Sequence, residues 1–180
     1  MAAALRFAEI LEVLSRHRVE FILVGGVAAI LEGAPVSTLD IDIVVPPTPE
    51  DRGHLLGALK ELHARYLDPA GRHIVPDAGK LEALHIHRLV TDFGPLDILD
   101  SIGAGLTYKD LTGETSPYEL GDITVRVLNL ATIIRSKEEA NRDKDRATLP
   151  ILRRTLQLKE AESQGSVIVS PPRSCFQQDR

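Results

Sequence analysis

The chain has 180 residues, a formal net charge of −5 and a hydrophobic content of 43%. This length fits one ordinary domain, and so many apolar residues exclude a disordered chain. Cys175 is the single cysteine, which excludes a disulfide scaffold and suits a reducing compartment, so we expect a cytoplasmic protein. No apolar run reaches membrane-spanning length, and the N-terminal segment predicts no signal peptide.

Charge is divided unevenly along the sequence. Residues 1–125 carry 10 Lys/Arg and 19 Asp/Glu, whereas residues 126–160 carry 9 Lys/Arg and 5 Asp/Glu. An acidic body with a basic C-terminal segment could bind an anionic substrate where the two meet. The alternative interpretation is a solvated helix face that is rich in Lys and Arg.

In the first half of the chain, helical and strand periodicities alternate. They predict a helix over 5–17, a strand over Phe21–Val24 ended by Gly25-Gly26, a helix over Val27–Leu31, a strand over Leu39–Val45 and a helix over 50–65.

The second half begins with a turn-rich stretch over 66–80. Its pattern then predicts a hairpin of Glu82–Thr91 and Leu96–Asp100, a short helix at Tyr108–Leu111, a strand over Ile123–Leu128, and helix over 130–160 interrupted near Asn141 and at Pro150. This order predicts an α+β fold, a mixed sheet with helices packed on it. We expect a core over 1–128, a helical segment over 129–162 packed on that core, and a flexible tail over 163–180.

Two aspartates on one predicted strand carry the first chemical signal. Side chains alternate along a strand, so Asp40 and Asp42 point to the same face. Their like charges are unfavourable together unless a cation lies between them, and Mg²⁺ binds such carboxylates along with substrate phosphates. The alternative is two solvent-facing residues, but aspartate is depleted in strands and the neighbouring Ile and Val residues are typical of a core.

Two further features are typical of phosphate chemistry. Gly25-Gly26 follows a strand and opens a helix, a turn whose backbone N–H groups can face an anion at close range because no Cβ intervenes. Asp97 lies in an apolar strand that could pair beside the first acids, and three carboxylates can hold two Mg²⁺ ions. Asp100 is the alternative third acid, although alternation directs it to the opposite face.

Gly25-Gly26 followed by Asp40-Ile41-Asp42 resembles the signature of the DNA polymerase β-like nucleotidyltransferase superfamily, and Asp97 matches its third acid. The stretch from Val125 to Leu128, then Lys137 and Arg142-Asp143-Lys144-Asp145, resembles the AbiEii-like members, which include toxins of type IV toxin–antitoxin systems. Many members have Ser where this chain has Gly26. The resemblance implies a polymerase β-like core with a C-terminal helical segment.

The resemblance also implies residue roles. Asp40, Asp42 and Asp97 would bind Mg²⁺, and Gly25, Gly26 and Thr38 would contact the triphosphate. Lys137 would contact the nucleotide phosphates, Arg142 and Lys144 would extend the positive field, and Asp145 would orient Lys137 or a substrate hydroxyl. An i to i+8 separation predicts that Lys137 and Asp145 lie two turns apart on one helix. The alternative for this cluster is ion pairing on a helix surface.

The implied reaction is transfer of a nucleoside monophosphate from an NTP to a hydroxyl. The resemblance points to the 3′ end of tRNA as the acceptor, so that the protein would block translation as a toxin with a cognate antitoxin. Two alternatives stay open. The acceptor could be a hydroxyl of a protein or of a small compound such as an antibiotic, or the chain could be a nucleotide-binding module without turnover.

Overall fold

A seven-stranded mixed sheet organises the computed structural model, which describes residues 6–165. Its strands follow the order β3-β4-β5-β2-β1-β9-β8. The strands of the chain are β1 (Ile22–Val24), β2 (Ile41–Val44), β3 (Arg65–Tyr66), β4 (Ile86–Thr91), β5 (Gly94–Leu99), β6 (Ser101–Ile102), β7 (Leu106–Thr107), β8 (Thr115–Leu120) and β9 (Ile123–Leu128). Strands β6 and β7 form a separate small ribbon.

Seven α-helices accompany the sheet in the described part of the chain. They are α1 (Phe7–Arg16), α2 (Gly25–Leu31), α3 (Pro49–Glu61), α4 (Ala78–Ala83), α5 (Tyr108–Leu111), α6 (Leu130–Ala140) and α7 (Asp143–Gly165). The predicted α+β class with a mixed sheet and packed helices is confirmed. Among residues 6–165, no helix combines the length and apolarity that crossing a membrane requires.

The middle of the sheet is mixed in direction. β2 pairs with β1 in antiparallel and with β5 in parallel orientation, and β1 pairs in parallel with β9. All three residues of β1 are buried, so both faces of the sheet are covered there. Along β4, by contrast, exposed and buried residues alternate, so one face of that strand is open to solvent. The sheet therefore passes from a covered centre to an open flank.

Local chemistry sets the ends of the helices near the C-terminal segment. The Asn129 side chain accepts a hydrogen bond from the backbone N–H of Thr132 and caps the start of α6. Asn141 ends α6 in the left-handed conformation, with φ of 46°, which asparagine tolerates better than most residues. The chain then turns and α7 packs back against α6.

Several elements differ from the sequence expectations. The strand expected from Glu82 begins at Ile86, because Asp77 accepts a hydrogen bond from the Lys80 N–H and starts α4 before it. The interruption expected at Pro150 is wrong, since α7 continues through that residue. Helix α7 extends to Gly165, and the remaining residues of the tail expected over 163–180 lie outside the described residues.

Strand β8 was not predicted at all. It lies at the edge of the sheet, and none of its six residues is buried, so no alternating pattern marks it. It also contains Pro117 opposite Arg126 of β9. Proline cannot donate to the ladder and is tolerated in an edge strand, so its presence argued against a strand without excluding one.

A matched pair of isoleucines on neighbouring strands tests the assignment of the core. Ile98 of β5 is 1% exposed and Ile86 of β4 is 54% exposed. Ile98→Ala should lower the free energy of unfolding by about 2–5 kcal/mol, because it leaves a cavity in packed surroundings. Ile86→Ala should change it far less. Urea unfolding of both variants measures this, and equal losses would contradict the described packing.

Candidate active site

Three aspartates converge at the middle of the sheet. Asp42 lies on β2, and the parallel register with β5 sets it directly opposite Asp97. Asp40 immediately precedes β2. One carboxylate oxygen from each of the three residues lies within 4.8 Å of the other two. The register of β2 against β5 therefore brings Asp42 and Asp97 together, and Asp40 joins them from the bend just before β2, which begins at Ile41 and not at the expected Leu39.

Asp100, the alternative third acid, is engaged elsewhere. Its carboxylate Oδ2 lies 2.9 Å from Nδ1 of His85, just before β4. Three positions separate Asp100 from Asp97, so alternation directs the two carboxylates to opposite faces. The structure thus brings Asp97, and not Asp100, to Asp40 and Asp42.

Burial and mutual repulsion in this cluster raise the pKa values of two of its carboxyl groups. Burial, followed by the charges of Asp40 and Asp97, raises the pKa of Asp42 to about 6. Burial and the charge of Asp40 also raise the pKa of Asp97. The charges of Lys144 and Lys137 partly offset the shift at Asp42. An arrangement of this kind fits a bound cation, which would favour all three ionised carboxylates.

Gly25 makes the close approach of β2 and the α2 turn sterically feasible. Its φ is +67°, a conformation that side chains disfavour. A Cβ on Gly25 would also lie only 2.1 Å from Oδ2 of Asp42. Position 25 therefore requires glycine because any side chain there would collide with the Asp42 carboxylate. Helix α2, which begins at this glycine, has seven residues.

Gly26 makes room for Thr38 in the same way. A Cβ on Gly26 would lie 2.6 Å from Cβ and 2.7 Å from Oγ1 of Thr38. The Thr38 hydroxyl donates a hydrogen bond of 2.6 Å to Oδ1 of Asp40. A hydroxyl is therefore present beside position 26, but it comes from Thr38. This packing gives a physical reason for glycine at 26 in this chain.

Asp145 joins two cationic side chains at the corner between α6 and α7. Its side chain is fully buried, and its two carboxylate oxygens accept a 2.8 Å hydrogen bond from Lys137 Nζ and a 2.6 Å hydrogen bond from Arg142 Nε. Burial raises the pKa of Asp145, but the hydrogen bonds from Arg142 and Lys137 outweigh burial, so that the pKa lies below its ordinary value. Asp145 is thus an ionised anchor for both cations.

The expectation that Lys137 and Asp145 share one helix face is wrong. Asn141 separates α6 from α7, so Lys137 lies on the first helix and Asp145 on the second. Their contact is a bridge between helices, formed because α7 turns back onto α6. Lys144 is exposed beside Asp145 and acts on the pKa of both Asp42 and Asp97, so this corner faces the acid cluster.

Arg88, which was not predicted as a site residue, lies on the other side of the acids. It is the cross-strand partner of Asp97 on β4, and its Nε lies 3.9 Å from Asp97 Oδ2. Its positive charge lowers the pKa of Asp97 against the larger effect of burial. A signal was present in the sequence, because a two-residue turn at Asp92-Phe93 fixes the register that sets Arg88 opposite Asp97.

The raised pKa of Asp42 predicts a stabilising substitution. An acid whose pKa is raised on folding binds its proton more tightly in the native state, so its ionisation between about pH 4 and pH 6 lowers stability. Asp42→Asn keeps the volume and removes the charge. It should raise Tm at pH 7.5. The gain in the free energy of unfolding has an upper limit of about 3 kcal/mol, which corresponds to a pKa raised by about two units, and it should shrink toward pH 4. A lower Tm at pH 7.5 would contradict this.

The packing of Gly26 against Thr38 predicts coupling between these two positions. Gly26→Ser should destabilise the fold by about 1–3 kcal/mol through overpacking. In a Thr38→Gly background the same change should cost less, because the conflicting atoms are absent. Urea unfolding of the four proteins in this double-mutant cycle measures the coupling. Gly53→Ser is the control, since a Cβ there meets no atom within 4 Å; additive costs would count against the packing.

Comparison with solved structures finds proteins of similar fold. A protein of Thermotoga maritima, TM1012, described as a nucleotidyltransferase, is 17% identical over 92% of this chain and 93% of its own, with a TM-score of 0.47. The solution structure of the antibiotic-resistance factor ANT(2″)-Ia is 14% identical over 88% of this chain and 89% of that chain, with a TM-score of 0.52.

A crystal structure of ANT(2″)-Ia in complex with adenylyl-2″-tobramycin is 16% identical over 88% of this chain and 91% of that chain, with a TM-score of 0.53. No protein-family model and no curated protein matches the sequence. Similarity at these identities concerns the fold. The mixed sheet with its packed helices is therefore a fold that this chain shares with ANT(2″)-Ia.

Proposed function

We propose that this protein is a Mg²⁺-dependent nucleotidyltransferase, which transfers a nucleoside monophosphate from an NTP to a hydroxyl group. The acid cluster carries the proposal, because carboxylate oxygens of Asp40, Asp42 and Asp97 lie within 4.8 Å of one another despite their like charges. Carboxylates in such a group, together with phosphate oxygens, are the ligands that Mg²⁺ takes in proteins. The fold shared with ANT(2″)-Ia agrees with this activity.

Asp40, Asp42 and Asp97 would hold Mg²⁺, which when bound neutralises charge on the reacting phosphates. The protein's own part is to position the donor and acceptor, since phosphoryl transfer depends mainly on positioning and charge. The acceptor oxygen forms a bond to the α-phosphorus while the bond from that phosphorus to the β-bridging oxygen breaks. Pyrophosphate leaves, and the hydroxyl proton passes to water.

The donor triphosphate would lie between the glycine turn and the α6–α7 corner. Lys137 would contact the phosphates as a point charge, and its 2.8 Å bond to the buried Asp145 holds the ammonium group in place. Arg142, fixed by the same carboxylate, and the exposed Lys144 would extend the positive field. The Thr38 hydroxyl, once it turns from Asp40 to donate to a phosphate oxygen, and the backbone at Gly25 and Gly26 would complete the contacts to the triphosphate.

For the acceptor, we propose the 3′ end of tRNA, with the protein acting as a toxin that blocks translation and has a cognate antitoxin. The resemblance to AbiEii-like members supports this acceptor. Within the described residues, ion pairs take five of the nine basic side chains of 126–160. RNA phosphates would therefore meet the remaining four, which are Arg126, Arg135, Lys144 and Arg154.

A second candidate acceptor is a hydroxyl of a small molecule. The similarity to ANT(2″)-Ia, whose complex contains adenylyl-2″-tobramycin, favours it specifically, because that likeness spans 88% of this chain. The acceptor would then be an antibiotic or a related hydroxylated compound. Transfer to a hydroxyl of a protein is a third possible outcome of the labelling experiment described next.

Label transfer distinguishes these candidates. The full chain is incubated with Mg²⁺ and each α-labelled NTP in turn, together with tRNA, total protein or tobramycin as acceptor. We expect label on tRNA, transfer that stops with EDTA, and a loss of at least about 10³-fold in Asp42→Ala, because a metal ligand is gone. Asp122→Ala removes an exposed acid from the β8–β9 turn and should keep full activity.

Each outcome of the labelling has a definite meaning. Label on tobramycin would support the second candidate, and label on protein would replace both acceptors. Binding of NTP without transfer to any acceptor would favour a nucleotide-binding module. Transfer by Asp42→Ala at the wild-type rate would refute the role of the acid cluster.

A further inference from the structure

The acid cluster has two flanks of different composition. On one side lie β1, the glycine turn and the cations Lys137 and Lys144, which act on Asp42. On the other side the sheet continues from β5 to β4 and β3. If the first flank holds the NTP, the second flank is where the acceptor hydroxyl can approach Asp97.

Two arginines occupy the open face of the second flank. Arg88 stands opposite Asp97, and its side chain is 68% exposed. Arg65 on β3 is the cross-strand partner of Val90, two residues along β4 from Arg88, so both arginines point to the face of Asp97. Diagonal neighbours of this kind lie about 7–8 Å apart, within reach of one phosphate or of two successive phosphates.

Neither guanidinium forms a hydrogen bond to a side chain in the described part of the chain. The distance of 3.9 Å from Arg88 Nε to Asp97 Oδ2 is too long for a hydrogen bond. No carboxylate among residues 6–165 lies within 4.0 Å of the Arg65 guanidinium, and β3 and β4 contain no acidic residue. The positive charge of this face is therefore available to a ligand.

An exposed apolar residue lies between the two arginines. The backbone N–H of Leu67 donates a hydrogen bond to the carbonyl of Arg88, which extends the β3–β4 register by one pair and sets Leu67 opposite Arg88. Its side chain is 66% exposed. A large aliphatic side chain in solvent beside two guanidinium groups offers an apolar contact to a ring whose phosphates those groups bind.

We propose that this surface, the acceptor face of Arg65, Leu67, Arg88 and Val90, binds a phosphate-bearing acceptor and leads its hydroxyl to Asp97. The inference rests on the proposed nucleotidyl transfer and names the acceptor class for the same site. Arg88 and Arg65 bind phosphate, and Leu67 contacts the attached base or other ring. A polycationic acceptor such as tobramycin is disfavoured, because its ammonium groups would meet the guanidinium of Arg65 and the guanidinium of Arg88, whose charge Asp97 offsets only in part across 3.9 Å.

Binding measurements test the acceptor face without relying on turnover. The probes are a fluorescein-labelled RNA oligonucleotide with a free 3′ hydroxyl, a nucleoside 5′-monophosphate, and tobramycin. Affinity is measured for the wild-type chain and for an Arg65→Ala, Arg88→Ala double variant, over a range of salt concentrations. Arg16→Ala is the control for loss of an exposed arginine away from this face, since Arg16 is 59% exposed on α1, where it pairs with Glu61. Arg88→Lys keeps the charge and removes the bidentate geometry.

We expect the double variant to bind RNA at least about tenfold more weakly, and the slope of log K against log salt to fall by about 0.7 for each phosphate that the variant no longer binds. Leu67→Ala should weaken binding without changing that slope. If the double variant also binds the mononucleotide more weakly, the face recognises a single phosphate. If only RNA binding decreases, the ligand of the face is a polynucleotide. NTP binding should be unchanged in all variants.

Two results would overturn the acceptor face. One is equal RNA and mononucleotide binding by wild type and the double variant, and the other is tobramycin binding that exceeds RNA binding in the wild-type chain. Failure of the proposed transfer has a separate signature, namely a wild-type chain that binds no NTP, or one that binds NTP and labels no acceptor. RNA binding by the double variant is measured without NTP, so it tests the acceptor face whether or not transfer occurs.

Discussion

Three carboxylates that repel one another are held in one place, and the rest of the structure supplies what that requires. Like charges at such distances disfavour ionisation, and the raised pKa values of Asp42 and Asp97 express this cost. The buried centre of the sheet holds the acids, since Ile41 and Ile43 on either side of Asp42 are fully buried. Packing energy from these apolar residues offsets the repulsion between the acids.

The positive side of the site follows from a second buried charge. Asp145 is inaccessible to solvent and accepts hydrogen bonds from two cations on its two oxygens. A buried carboxylate without such partners would be costly, so the three groups are tied to one another. The α6–α7 corner therefore presents Lys137 in one fixed position, whereas a lysine on an isolated helix would sample many rotamers. The buried anion organises cations that would bind phosphate.

Much of the site's framework could be predicted from the sequence because it depends on alternation and local pattern. Strand alternation predicted that Asp40 and Asp42 lie together, and they do, although Asp40 lies in the bend just before β2. The hairpin that carries Asp97 has clear apolar strands. Other features depend on contacts between distant segments. The parallel pairing that sets Asp97 against Asp42 has no local signal, and strand β8 lacks any buried residue.

The helical corner shows the same limit of sequence reasoning. Counting residues placed Lys137 and Asp145 together for the wrong reason, because the count assumed one straight helix. The break at Asn141 was foreseen, but the angle at which α7 returns depends on packing against α6. Glycine at position 26, where many members of the resembled family have serine, is likewise explained by its packing against Thr38. Such departures from a familiar pattern are explained by neighbours that the sequence does not place next to each other.

The parallel pairing of β2 with β5 has a consequence for how the site forms during folding. Asp42 and Asp97 are 55 positions apart in the chain, and the whole of α3, β3, α4 and β4 lies between them. Closing so long a segment costs chain entropy before the pairing yields any contact energy. The local pair Asp40 and Asp42 can exist early, but a three-carboxylate cluster cannot. The three-carboxylate cluster therefore forms only after β2 and β5 have paired.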